Sequence, residues 1–378
     1  SMSLDTVNNI LTIGSGALWS DALQYLNKYD RSVSVMQAFS SFSIGGSISV
    51  NGHGWQHNAP PVSSTIVSFS IMKADGQVLE CDRLNNEELF SLAIGGYGLF
   101  GIILDIKLRV VNNRSLTFKS YKFRSDEYID HFEEYVDNDS SVQLVFGRLN
   151  ISNKKFLQEA TLNIFRSSVE DVDHQGRITE DERSVQLKRL VFRSTVNSEY
   201  GKRLRWNLEN NLRELSSKLT FTRNQVLNDN VSIVKNNDST STDILHEYFI
   251  PRRNLDQYIE GLKQILPNEK LDLLNITIRN VYPDTDSFLR YADEEMFAFV
   301  MLFNQRIDPE HEIEMRALSN SLARLTHSLD GTYYLPYRLH VDKTLFKKMY
   351  PQSDEFFKLK LKYDPEEIFQ NRFYLYYR

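Results

Sequence analysis

The sequence is poor in cysteine. It contains a single cysteine, Cys81, among 378 residues, so the chain has no means of forming an internal disulfide. A lone thiol suits a reducing compartment, and we therefore predict a cytoplasmic protein. Cys81 ends a predicted strand and has no reactive partner near it in sequence, which favours a place in the core over a role as a nucleophile.

Positive charge and long apolar runs are also scarce. The 44 Lys and Arg residues are outnumbered by 50 Asp and Glu, which gives a net charge of -6. Nucleic acid as the main partner would need a basic surface, so this balance argues against it. No apolar run reaches the roughly 20 residues of a membrane-spanning helix, and residues 1–20 contain no basic segment followed by an apolar one. We predict no nucleic-acid partner, no transmembrane segment and no signal peptide.

The remaining composition is that of an ordinary globular protein, with 41% apolar and 25% charged residues. Residues 3–115 predict short strands alternating with helices. Residues 116–345 have longer alternating strands and amphipathic helices, which predict an antiparallel sheet covered by helices. Residues 346–378 predict a helical segment that returns to the first domain. The predicted fold class is therefore α+β, in two domains with a C-terminal segment.

Several segments of the second domain have clear individual signals. Residues 142–150 and 160–166 predict paired strands, and residues 332–339 predict a further strand of the same sheet. Residues 167–184 (SSVEDVDHQGRITEDERS) are polar and charged, and predict a solvated loop.

The most informative stretch for function is 43–54 (SIGGSISVNGHG). Its four glycines allow the backbone to approach a ligand closely, and exposed N–H groups in such a turn can bind phosphate or ring heteroatoms. A tight hairpin without a ligand explains the same composition equally well. The residues alone leave both interpretations open.

A second glycine stretch, 95–103 (GGYGLFGII), formally matches the dinucleotide fingerprint through Gly96, Gly98 and Gly101. The Rossmann version needs these glycines after a strand and at the start of a helix. Here a predicted helix precedes them and a strand follows, so the context rejects a Rossmann site. Close approach of the backbone to another ligand remains possible.

Other chemistry is poorly supported. His53 and His57 have the spacing of a metal pair but lie in a glycine-rich segment without a nearby carboxylate, so we predict no metal. A hydrolase would need a serine in a nucleophile elbow, and the nearest sequence, 14–16, lacks that spacing.

Taken together, the stretches resemble the vanillyl-alcohol-oxidase superfamily of FAD-dependent oxidoreductases, which has a flavin domain of the p-cresol-methylhydroxylase (PCMH) type. The matching segments, in order, are 14–19 (GSGALW), 45–54 (GGSISVNGHG), 74–76 (ADG), 88–90 (ELF) and 95–103 (GGYGLFGII). Their order and spacing agree over about a hundred residues, which is more specific than any one glycine motif.

Later segments are similar to bacterial members of the family, among them sugar-alcohol oxidases and decaprenyl-phosphoryl-ribose oxidase. These segments are 201–206, 247–251, 273–279, 331–337 and 363–374. The resemblance implies that residues 3–115 are the second subdomain of a PCMH-type FAD-binding domain and that 116–345 form a cap domain over the substrate. The smaller subdomain that opens this fold in relatives is predicted to be absent from this sequence.

The resemblance implies FAD as the cofactor and assigns its contacts residue by residue. The backbone of the first glycine stretch would lie along the flavin, Gly45 would leave room for dioxygen, and Ile103 would contact the adenine. The implied cofactor-binding residues are Gly45, Gly46, Ser49, Val50, Asn51, Gly52, His53, Gly96, Gly98, Ile103 and Tyr334.

The implied catalytic residues are His53, Arg279 and Tyr337. A structural histidine is the alternative for His53. Arg279 alternates with Thr277 on one face of a predicted strand, so both could reach the substrate cavity, and a surface salt bridge is an equal alternative for Arg279. Tyr337 stands where several relatives have a lysine close to the flavin, and a phenol there can donate a hydrogen bond but carries no positive charge near neutral pH. His340 is a weaker candidate.

The implied reaction is oxidation of an alcohol (a polyol, a sugar or a sugar-lipid) by hydride transfer to flavin N5, with a base accepting the hydroxyl proton. Electrons would then pass to dioxygen or another acceptor, which makes the protein an oxidase or a dehydrogenase. The alternative function is a non-catalytic scaffold or effector that keeps the flavoenzyme fold without binding FAD. The missing subdomain and the tyrosine at position 337 motivate this alternative.

Overall fold

The computed structural model describes residues 2–170, 176, 178, 182–216, 219–268 and 271–378. Within these residues the strands form two sheets, and every pairing between them is antiparallel. Helices occur throughout both parts of the chain. The predicted α+β class is confirmed.

The first sheet is built by the first 112 residues. Its strand order is β1-β2-β6-β4-β5, and β3 pairs with β6. The elements are β1 (Met2–Asp5), β2 (Ile10–Gly14), α1 (Trp19–Asn27), β3 (Arg31–Val33), α2 (Ile44–Ser49), β4 (Ile66–Met72), β5 (Val78–Asp82), α3 (Glu87–Ala93) and β6 (Ile102–Asn112). Buried Trp19, Phe69 and Phe90 belong to the core beside this sheet.

The second sheet has the order β10-β7-β9-β8-β12-β13-β11-β14. Its strands are β7 (Ser115–Arg124), β8 (Val142–Leu149), β9 (Glu159–Ser167), β10 (Thr220–Thr222), β11 (Ser241–Pro251), β12 (Asp272–Val281), β13 (Met296–Arg306) and β14 (Thr332–Tyr333). The helices that accompany it are α4 (Tyr128–Phe132), α5 (Glu182–Arg193), α6 (Glu199–Ser216), α7 (Arg223–Leu227), α8 (Leu255–Ile265) and α9 (Pro309–Ser328).

Alternation along β11 gives the second sheet two chemically different faces. Leu245 and Glu247 line a cavity. His246, between them, points the other way, and its ring nitrogen lies 3.1 Å from Ser319 Oγ on α9. One face of the sheet therefore packs against a helix, while the other is available for a site.

The C-terminal segment contains α10 (Lys343–Met349), α11 (Ser353–Tyr363) and α12 (Arg372–Tyr377). It packs on the glycine cluster of the first sheet. The Tyr97 and Phe373 ring centroids are 4.8 Å apart, and those of Phe100 and Phe356 are 5.1 Å apart. The proposed boundaries at 115 and 345 stay a prediction.

Two interpretations of local sequence are confirmed. The strands predicted at 142–150 and 160–166 are β8 and β9, and they pair with each other. The glycines at 95–101 follow helix α3 and precede strand β6, so the rejection of a Rossmann arrangement was correct. Part of the polar stretch 167–184 lies outside the described residues.

Two others were wrong. Residues 332–339 do not form a long strand, because β14 ends at Tyr333 and Pro336 has no N–H to continue the ladder. The stretch 43–54 is not a hairpin, because its first half is helix α2. Ser43 caps that helix, its Oγ accepting a hydrogen bond from the Gly46 N–H at 3.3 Å.

Candidate active site

A cavity of about 1000 Å³ lies between the turn that follows α2 and the open face of the second sheet. This volume is at the upper end of the range of ligand pockets, roughly 300–1,000 Å³. Gly52 and His53 come from the turn, whereas Glu247, Arg279 and Val300 come from β11, β12 and β13. The cavity therefore joins the two parts of the chain.

His53, Glu247 and Tyr337 form a hydrogen-bonded group in this cavity. His53 Nε2 lies 2.6 Å from Glu247 Oε1, and the Tyr337 hydroxyl donates to Glu247 Oε2 at 3.0 Å. The His53 and Glu247 side chains are 4% and 1% exposed, so their contact is shielded from water. The ring of His53 packs against the rings of Phe249 and Tyr334, with centroids 5.4 and 6.0 Å away.

The electrostatics of this group favour a carboxylate at position 247. Burial is the largest influence and by itself would raise the pKa of Glu247. The charge and hydrogen bond of His53, the charge of Arg279 and the hydrogen bond of Tyr337 outweigh it and hold that pKa below its usual value. Burial, followed by the negative charge of Glu247, raises the pKa of Tyr337 well above its usual value, so the phenol keeps its proton.

Arg279 reaches the same cavity. It alternates with Thr277 along β12, and both side chains line the cavity as their spacing predicted. Its Nη1 donates to the His53 carbonyl oxygen at 3.4 Å, whereas its buried Nε has no hydrogen-bond partner in the described part of the chain. This geometry supports a role in the cavity over the surface salt bridge, and the catalytic role itself stays a prediction.

Tyr334 lines the cavity and also holds the turn that carries His53. Its hydroxyl donates to the Val50 carbonyl at 2.8 Å. The Tyr291 hydroxyl donates in the same way to the carbonyl of Asn51, at 2.6 Å. Two residues from the second part of the chain thus fix the backbone just before His53.

Asn51 does not line the cavity but fastens the turn from behind. Its backbone has a φ of 48°, in the left-handed region. Its Nδ2 donates to Asp284 Oδ2 at 2.7 Å, and its Oδ1 accepts from the Ser63 N–H at 3.1 Å. Burial raises the pKa of Asp284 despite its several hydrogen bonds. The structure thus gives Asn51 a structural role, and its predicted contact with the cofactor remains untested.

Replacing Asn51 with alanine should lower the free energy of unfolding by about 2 kcal/mol or more, because it leaves buried polar partners unsatisfied and places alanine at positive φ. Urea unfolding measures the change. Asn58 is a matched control, since it has a φ of 54° but is exposed. Asn58→Ala shares with Asn51→Ala only the cost of placing alanine at positive φ. An equal loss in both variants would contradict the role of the hydrogen bonds.

The glycines of the first stretch divide into two groups. Gly46 and Gly52 line the cavity. Gly45 does not, and a Cβ there would lie 2.8 Å from Ser15 Cβ, so close packing against the turn after β2 requires this glycine. Ser49 does not line the cavity either, and its hydroxyl donates to the Gly45 carbonyl at 2.8 Å. The proposed space for dioxygen at Gly45 remains a prediction.

The structure does not bring Gly96, Gly98 and Ile103 to this cavity. A Cβ at Gly96 would lie 2.0 Å from the Leu92 carbonyl oxygen, and Gly98 has a φ of +73°. Ile103 is buried in β6, paired with Ile71. Local packing explains the two glycines, and the predicted adenine contacts stay predictions.

Sequence reasoning missed many residues of the cavity, and three of them have polar groups that bear on its chemistry. These are Glu247, Trp55 and Gln37. The indole N–H of Trp55 and the Oε1 of Gln37 are buried and have no partner among the described residues. Glu247 had a signal, since it opens the segment 247–251 that resembles the family, but only the pairing of distant strands shows that it meets His53.

The unpaired atoms test whether the cavity fits FAD. Trp55 Nε1 and Arg279 Nε are donors without acceptors, and Gln37 Oε1 is an acceptor without a donor. Unpaired buried polar atoms are costly, so such a set indicates a polar ligand. The flavin ring has both carbonyl oxygens and an N–H. The lining at Gly46 and Gly52 has no side chain that would separate it from the backbone, and the residues therefore fit this group.

His340 lies outside the cavity, in a buried chain on the other face of the second sheet. Ser319 Oγ is 3.1 Å from His246 Nε2 and 3.0 Å from His340 Nδ1, and His340 Nε2 is 2.8 Å from Glu312 Oε1. This order of groups resembles a hydrolase triad. Ser319 is only 2% exposed and has no substrate access, so the arrangement is structural.

No group of three or more His, Cys, Asp or Glu side chains among the described residues is placed to hold a metal ion. None of the helices in that part of the chain has the length and apolar character needed to cross a membrane.

Comparison with known proteins gives one family match, to the model "FAD binding domain", over residues 1–82. L-gulonolactone oxidase of Mus musculus is 27% identical over 135 residues, covering 36% of this chain and 31% of that protein. D-arabinono-1,4-lactone oxidase of Debaryomyces hansenii is 28% identical over 134 residues, covering 35% and 23%. Cytokinin dehydrogenase 2 of Arabidopsis thaliana is 26% identical over 148 residues, covering 37% and 29%.

Residues 1–82 therefore match an FAD-binding domain, and these similarities agree with the resemblance of the sequence to PCMH-type FAD-dependent oxidoreductases. They also support FAD as its cofactor. The matched region spans less than a third of the length of each of these three relatives.

Proposed function

We propose that the protein is an FAD-linked oxidoreductase that oxidises an alcohol, acting as an oxidase or a dehydrogenase. The observation that carries this proposal is the buried group formed by His53, Glu247 and Tyr337. It lies in a cavity whose other wall belongs to the region that matches an FAD-binding domain. A shielded base of this kind is what removal of a hydroxyl proton requires.

The residues that would hold the cofactor are those of the turn after α2. Gly46, Val50 and Gly52 line the cavity there, and Trp55 supplies an unpaired donor. Bound FAD supplies the hydride acceptor.

The His53–Glu247 pair is proposed as the base. In its base form, His53 uses its Nε2–H group to donate a hydrogen bond to the Glu247 carboxylate, which leaves Nδ1 as the acceptor nitrogen. That nitrogen has no partner in the described chain. When His53 takes the hydroxyl proton, the negative charge beside it stabilises the imidazolium.

Tyr337 and Arg279 are proposed to position the substrate. Tyr337 holds Glu247 in place through its hydroxyl and closes one side of the cavity. Arg279 has a donor free for a substrate oxygen, and a guanidinium there stabilises negative charge that develops on that oxygen. The names of two relatives, L-gulonolactone oxidase and D-arabinono-1,4-lactone oxidase, support a sugar-derived alcohol or lactone.

The test is reconstitution of the protein with FAD, followed by anaerobic mixing with polyols, sugars and sugar lactones. We expect a yellow protein whose visible absorbance is bleached by at least one alcohol, with colour returning when dioxygen or an artificial acceptor is added. Protein that stays colourless after reconstitution would instead support the non-catalytic alternative. A yellow protein that no alcohol bleaches would exclude the proposed reaction while leaving FAD binding intact.

A further inference from the structure

A second region of the same cavity is lined by hydrocarbon. Helix α5 and the turn after Asn230 supply this region, which we call the apolar wall. Its members are Leu187, Val191, Phe192, Val231, Ile233 and Val234. No catalytic role can be given to these side chains, so their place in the lining needs another explanation.

The apolar wall is a built structure. Arg189 Nε on α5 donates to the Ser232 carbonyl at 2.7 Å. Arg193 at the end of the helix forms an ion pair with Asp243 on β11 and donates to the Val234 and Lys235 carbonyls. These contacts fix the turn against the helix and both against the sheet.

The apolar wall comes from a part of the chain outside the match to an FAD-binding domain. The match to an FAD-binding domain covers residues 1–82, and the apolar wall lies entirely between positions 187 and 234. Leu187 is 63% exposed, so a leucine is held in contact with water at a cavity boundary. An apolar ligand would cover it, whereas a fully hydroxylated sugar would leave it wet.

We propose that the apolar wall binds the hydrocarbon part of an amphiphilic alcohol, while the hydroxyl end of that molecule meets His53 and Arg279. This inference rests on the proposed function, because the two ends of the cavity then serve one substrate. Leu187 and Val191, one turn apart on α5, are specificity-determining residues for the hydrocarbon part.

The experiment is calorimetric titration of the FAD-reconstituted protein with vicinal diols of increasing chain length, from propanediol to decanediol. Affinity should rise by about fourfold for each added methylene over several carbons, the equivalent of about 0.8 kcal/mol per methylene. The heat-capacity change of binding should also become more negative along the series, as expected for burial of apolar surface.

Two leucines of α5 provide a matched pair of variants. Leu190 is 69% exposed, like Leu187, but does not line the cavity. Leu187→Ser should weaken decanediol binding by about five- to tenfold and leave propanediol unchanged, whereas Leu190→Ser should change neither. Because both side chains are largely exposed, neither substitution should unfold the protein.

Affinity that is independent of chain length, no binding of decanediol, or equal effects of the two serine variants would overturn the inference. The assay needs no turnover, so it separates the inference from the proposed function. Chain-length-dependent binding without bleaching of the flavin by any alcohol would support the apolar wall and contradict the oxidoreductase. Bleaching by alcohols whose affinity does not depend on chain length would support the oxidoreductase and contradict the role of the apolar wall.

Discussion

Replacing Glu247 with glutamine is expected to lower kcat of the FAD-loaded protein by about 100- to 10,000-fold, the range typical of a lost general base. The substitution keeps the shape of the side chain but removes the charge that faces His53 at 2.6 Å. Without that charge, the imidazolium formed on proton transfer loses its stabilising partner. Steady-state kinetics with the alcohol identified by bleaching measures the effect.

Tyr337→Phe is the graded control for this prediction. It removes only the hydrogen bond to Glu247 Oε2 and leaves the carboxylate and His53 in place. A hydrogen bond to a charged group contributes about 1.5–3 kcal/mol, so a loss of roughly 10- to 150-fold is expected. If Glu247→Gln turned over at the wild-type rate, or lost activity only through unfolding, the pair would not be the base.

Replacing Lys360 with methionine should lower the free energy of unfolding by about 3–5 kcal/mol, the cost of breaking a buried ion pair on one side. Lys360 and Asp364 are 0% and 1% exposed and form an ion pair one helical turn apart at the end of α11. Methionine leaves the carboxylate without its counter-charge. Equilibrium urea unfolding followed by circular dichroism measures the loss.

Two further variants make this test specific. Lys358 lies on the same helix and pairs with Glu355, but these side chains are 77% and 50% exposed, so Lys358→Met should change stability by no more than about 1 kcal/mol. Asp364 also accepts the Ile368 and Phe369 N–H groups. Asparagine retains an acceptor without the charge, and the double variant K360M/D364N should recover much of the lost stability. Equal losses in K360M and K358M would refute the role of burial.

The cavity shows which of its residues a local sequence pattern can predict. The spacing of Thr277 and Arg279 on one strand predicted that both would face a site, and they do. The run 43–54 indicated a ligand-binding turn, and Gly46, Gly52 and His53 line the cavity. Asn51, in the same run, instead fastens the turn through Asp284, which lies more than two hundred residues away. Position in a motif did not distinguish a lining residue from a fastening residue.

The sequence alone determined the α+β class, the resemblance to the PCMH-type family and the cofactor class that this resemblance implies. These depend on short-range features, namely alternation within strands and glycines at fixed spacing, each readable within about ten residues. The order of the glycine stretches from 14 to 103 carries the family relationship without any tertiary contact.

Only the tertiary structure decided which residues meet. Glu247 and His53 are 194 positions apart, and antiparallel pairing in the second sheet brings the carboxylate to the turn after α2. Burial then shields the contact between the two side chains from water. The same carboxylate in water would have no shielded partner. The structure likewise shows that close packing against the turn after β2 requires Gly45 and that side chains of α5 line the cavity. Contacts between distant segments depend on the whole fold, and no local spacing in the sequence encodes them.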